Sequence, residues 1–113
     1  MKKSIFVLFW LLLSFGAMAD YRCEVTIKRV LVYGDGSVNI LHDGRNDYTY
    51  ICDLNKPRKG VEIVTCAMWV SMLQSLQHNN TKAVFYYSGN GSCPTLPTYS
   101  SSPAPVYIGS IAQ

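Results

Sequence analysis

Apolar and polar residues alternate at the start of the folded part of the chain. Cys23, Val25 and Ile27 are set against Glu24, Thr26 and Lys28, the period of two expected of a half-buried strand. After Arg29 the parity changes, because Val30 and Val32 now alternate with Leu31 and Tyr33. A change of face inside one run predicts a bulge that bends the strand. Gly34-Asp35-Gly36-Ser37 predicts a tight turn with glycines free to take positive φ, and Val38 to Leu41 the return strand of a hairpin.

The polar run His42 to Asp47 predicts a loop. Tyr48, Tyr50, Cys52 and Leu54 then share one face of a third strand, with Thr49, Ile51 and Asp53 on the other. Asn55 to Gly60 interrupts the pattern with Pro57, Gly60 and the cations Lys56, Arg58 and Lys59, and reads as a solvated loop. From Thr65 the period lengthens. Cys66, Trp69, Val70, Leu73 and Leu76 form a helical stripe, with Thr65 as the expected N-cap and His78-Asn79-Asn80 as the stop. Ala83 to Tyr87 is rich in β-formers and predicts a fourth strand. Pro94, Pro97, Pro103 and Pro105 make residues 94–105 extended and irregular, and Val106 to Ile108 predicts a short fifth strand.

The order strand, strand, strand, helix, strand, strand is that of the OB-fold. The expectation is therefore a mainly β protein, a five-stranded OB-fold-like Greek-key barrel with its helix between the third and fourth strands. A small open α+β sheet under one helix is the rival.

The N-terminus changes how the rest is counted. Lys2 and Lys3, the apolar run Ile5 to Phe15 and the small residues of Ala17-Met18-Ala19 have the form of a secretory signal peptide cleaved before Asp20. Residues 20–113 are then a single domain. Without Lys2 and Lys3, eight Lys and Arg face seven Asp and Glu, so the net charge falls from +3 to near +1. All four cysteines follow the leader, and an even count in a small exported chain predicts two disulfides in the periplasm or beyond. Four cysteines allow three pairings. The end of the third strand and the start of the helix make Cys52 with Cys66 the natural one, leaving Cys23 with Cys93.

Little catalytic chemistry is written in the chain. His42 and His78 stand far apart, and no spacing of metal ligands occurs. No nucleophile has a recognisable base beside it, no glycine-rich phosphate loop opens a helix, and no cofactor is implied. Near-neutral charge argues against nucleic acid, whose binding needs a strong positive field. The candidate ligand-binding residues are Arg45, Asn46 and Asp47 in the loop and Tyr48, Tyr50 and Tyr86 on tyrosine-rich strands.

Tyr50-Ile51-Cys52, Thr65-Cys66-Ala67-Met68-Trp69 and Phe85-Tyr86-Tyr87, a strand ending in Cys, a Cys-opened helix with Trp and a Tyr-rich strand, resemble the B subunits of subtilase-cytotoxin and pertussis-like AB toxins. The stretch Cys93-Pro94-Thr95-Leu96-Pro97-Thr98-Tyr99, followed by Pro103-Ala104-Pro105-Val106-Tyr107, resembles a set of small exported proteins of Gram-negative bacteria. The toxin resemblance implies an OB-fold that forms rings of five and binds glycans. The expected function is thus a non-enzymatic exported binding module for a glycan or protein partner, able to form a homo-oligomer through sheet edges. The alternative is a periplasmic structural or inhibitory protein that binds a protein partner through its Pro-rich segment.

Overall fold

The computed structural model describes residues 19–112, so the signal peptide expected over the first nineteen residues lies almost wholly outside the described residues. The run that begins at Cys23 builds two strands, β1 (Tyr21–Val25) and β2 (Ile27–Val32). Thr26 is the break between them. Its N–H donates to Asp43 Oδ1 at 2.9 Å, while the Asp43 N–H donates to Thr26 O at 3.2 Å. That reciprocal pair holds the kink, and each half of the run then joins a different sheet.

β2 pairs antiparallel with β3 (Ser37–His42), and β3 with β4 (Tyr48–Asp53). The register slips between Ile27 and Arg29, leaving Lys28 as the extra residue. The face change expected after Arg29 is real and begins slightly earlier. The turn between β2 and β3 needs Gly36, whose φ is +94° and whose Cβ, if present, would lie 2.7 Å from Asn55 Nδ2. In the second sheet β1 pairs with β5 (Ala83–Tyr87), and β5 with β6 (Tyr107–Ser110).

The described residues therefore form six strands in two three-stranded sheets, β2-β3-β4 and β1-β5-β6, and not the closed five-stranded barrel expected from the element order. Closure would require a ladder along the free edge of β4. That edge is occupied instead by the Pro/Ser segment. Tyr99 N–H donates to Tyr48 O at 3.1 Å, and Tyr50 N–H to Ser102 Oγ at 3.0 Å. Pro97, Pro103 and Pro105 have no amide hydrogen to extend these into a ladder.

The helix α1 (Ile63–His78) buries Cys66, Trp69, Val70, Leu73 and Leu76, the stripe read from the sequence. Its N-cap is Glu62, three residues before the expected Thr65, and makes no side-chain capping bond. Its stop is as expected, with Asn80 in the left-handed region at φ 52°. Both disulfides are formed, Cys52–Cys66 and Cys23–Cys93. Three of these sulfurs lie in the core with Val25, Ile40, Phe85 and Tyr87. Among the described residues no helix is long and apolar enough to cross a membrane.

Candidate functional site

β4 carries the tyrosines, and a second register slip decides which way they face. Between Val38 and Asn39 the β3–β4 pairing skips a residue, so that Val38 meets Cys52 while Asn39 meets Tyr50. Ile51 and Cys52 are consequently both buried. Tyr48 and Tyr50 are only half-buried, and do not share the core face with Cys52 as simple alternation predicts.

The loop between β3 and β4 brings Arg45, Asn46, Asp47 and Tyr48 together. Arg45 Nε donates to Leu96 O at 2.7 Å, which anchors the Pro/Ser segment and commits that side chain to structure. Asn46 is exposed with φ 60°, the left-handed turn position that Asn tolerates. Asp47 Oδ1 accepts the Tyr48 amide at 2.8 Å. The Tyr48 hydroxyl accepts from Arg29 Nη1 at 3.2 Å.

Tyr50 is committed. Its hydroxyl donates to Asp53 Oδ2 at 2.6 Å, and the Arg58 guanidinium covers its ring at 3.8 Å from the centroid. Burial first, then the bond to Asp53, pushes the Tyr50 hydroxyl up to about 12. Tyr86 lies on β5 in the other sheet, stacked on Tyr107 at 5.0 Å and donating its hydroxyl to Asp20. It is not part of the cluster around Tyr48.

Tyr99, which no pattern in the sequence singles out, joins this cluster. Its ring stands 6.2 Å from that of Tyr48, tilted by 39°, and it is 49% exposed. Its backbone has φ 53°, a conformation unusual for a bulky side chain. Desolvation first, and then the Asp47 carboxylate, raises the Tyr99 hydroxyl above its ordinary value. Tyr99 stands alone among Pro, Ser and Thr, where no periodicity marks a functional position.

Tyr48 and Tyr99 thus form an open aromatic shelf with Asp47 and Arg29 beside it. A cavity of about 450 Å³ lies elsewhere, between the start of α1 and residues 104–106, with Trp69, Lys59 and Glu62 in its lining. Its lining holds neither His nor Cys. Among the described residues no group of three or more His, Cys, Asp or Glu is placed to hold a metal ion. No family model, curated protein or solved structure matches the chain.

Proposed function

We propose that the chain is an exported, non-enzymatic binding module that recognises a carbohydrate on the Tyr48–Tyr99 shelf and works as an oligomer. The observation that carries this reading is the exposed, unusually held Tyr99 ring beside Tyr48. Aromatic faces pack on the apolar face of a sugar ring, and the flanking Asp47 and Arg29 supply an acceptor and a donor for its hydroxyls. The resemblance to AB-toxin B subunits, and two disulfides compatible with an oxidising compartment, point the same way.

The test is a broad glycan array probed with residues 20–113, followed by Tyr99→Ala. Loss of one stacking contact should weaken binding about tenfold and leave the melting temperature within a few degrees of the parent. A flat array sinks the carbohydrate reading. A second reading, a periplasmic structural or inhibitory protein that binds a protein partner, is favoured by the exposed outer side of Pro94, Thr95 and Pro97. It takes precedence if the array is flat and Pro97→Glu abolishes capture of a specific periplasmic protein.

A further inference from the structure

The edges of the two sheets are not treated alike. The free edge of β4 is covered by the Pro/Ser segment, and Gln77 Nε2 of α1 donates to Lys28 O on β2. β1 runs beside Cys93 of the short helical turn. Among the described residues β6 pairs only with β5, and it carries none of the devices that guard an edge, neither a charge nor a proline within Tyr107–Ser110.

The register shows which backbone groups are left over. Tyr86 pairs with Tyr107, Val84 with Gly109, and Ile111 N–H donates to Lys82 O at 3.1 Å. Bonding alternates along an antiparallel ladder, so the N–H and C=O of Ile108 and Ser110 point away from β5. No hydrogen bond reaches them from any other described residue. Ile108 is only 7% exposed and belongs to the buried core, which holds the strand from behind, while Ser110 stands exposed at the edge. Exposed apolar side chains stand at the start of β6, Val106 just before it at 56% and Tyr107 within it at 41%.

We propose that β6 is the docking edge for β6 of a second copy, paired antiparallel about a two-fold axis through Gly109. In that register Ile108 N–H donates to Ser110 O of the second copy and Ser110 N–H to its Ile108 O, and symmetry repeats both bonds. Gly109 faces its own counterpart across the axis, the non-hydrogen-bonded pair at which Cα atoms approach to about 4.5 Å. Having no side chain, it adds no steric conflict there. Tyr107 comes opposite Ile111 of the other copy, an apolar cross-strand contact. One six-stranded sheet, β1-β5-β6-β6-β5-β1, results.

The sequence favours a second copy over a foreign strand. The edge is self-complementary, it carries no charge to repel its image, and the net charge of residues 20–113 is close to zero. Two-fold pairing closes at two copies and uses up the open edge.

Light scattering on residues 20–113 should give a dimer. Ser110→Pro removes an outward amide from each copy without touching the bonds to β5. Two lost bonds should weaken association about thirtyfold, with an unchanged circular dichroism spectrum. Gly109→Cys, whose Cβ would meet Val84 Cγ1 at 3.3 Å, should give a disulfide-linked dimer on a non-reducing gel. A monomer at NMR concentration overturns the proposal, and so does a mass of five copies. A dimer indifferent to Ser110→Pro and dissolved instead by Val64→Glu with Met68→Glu overturns it too, placing the contact on the exposed face of α1. None of these outcomes depends on carbohydrate binding.

Discussion

His42 is fully buried, its ring 5.3 Å from that of Phe85. Nδ1 accepts the Gly44 amide at 3.2 Å, and Nε2 has no partner among the described residues. Burial is the main cause that lowers its pKa to about 4, opposed weakly by the Asp43 carboxylate. A histidine neutral in the native state and ordinary in the unfolded chain makes the unfolded state the better proton binder between pH 4 and 6.5. Stability is therefore complete above pH 6.5 and falls as the pH drops through that window, by about 3 kcal/mol from this group. Asp20, Asp35 and Asp53, each lowered by hydrogen bonds, lose stability in the same direction at more acid pH. His42→Gln isolates the histidine contribution. Denaturant melts across pH 4–7 should show a flatter profile in the variant; an equally steep one would assign the acid sensitivity to the carboxylates. Nothing in the sequence distinguished this histidine. It opens a polar run that predicts a loop, and the Phe85 ring that packs on it belongs to the other sheet and meets it only after both sheets form.

The loop Asn55–Gly60 departs furthest from what its sequence predicts. Its charges read as solvent-facing, yet Arg58 is 9% exposed and works as a clamp. Nη1 donates to Tyr50 O at 2.9 Å, Nη2 to Ser102 O at 3.0 Å and Ser100 O at 3.3 Å, and Lys59 Nζ reaches Ser102 O at 2.7 Å. A planar fork stacked on Tyr50 serves three carbonyls at once, which a lysine cannot do. Arg58→Lys should cost about 2 kcal/mol. Amide exchange should speed up at Tyr50 and Tyr99, the two N–H groups that join β4 to the segment, with β1 and β5 unaffected. Uniform acceleration would mean that the clamp supports the whole fold instead. Local patterns that depend on one neighbour were legible: the α1 stripe, the turn at Gly36, the change of face near Arg29. The slip at Ile51 was not, because two consecutive inward residues look the same as ordinary alternation until the partner strand is in place.

For the whole molecule, closure was the feature that element order could not decide. The order fits a barrel, but whether the last segment completes a ladder on β4 depends on its prolines and on what anchors them. That anchoring begins at Cys93. From the disulfide with Cys23 on β1 the chain passes Leu96, 1% exposed and held through its carbonyl by Arg45, and runs along β4 to β6. The two disulfides should then differ in consequence. Cys52–Cys66 closes a short loop and fixes the start of α1, worth about 3 kcal/mol, whereas Cys23–Cys93 spans a separation of 70 residues and is worth about 4 kcal/mol by loop closure. In a domain this small, Cys23→Ala with Cys93→Ala should lower Tm by about 20 °C. It should also release residues 93–102 from β4, seen as rapid exchange at Tyr50 and Tyr99 below the melting transition. Cys52→Ala with Cys66→Ala should cost less and leave those amides protected. If the two double variants melt together and protect Tyr99 equally, the segment is held by Arg45 and Arg58 alone, and the tyrosine shelf is independent of the disulfide.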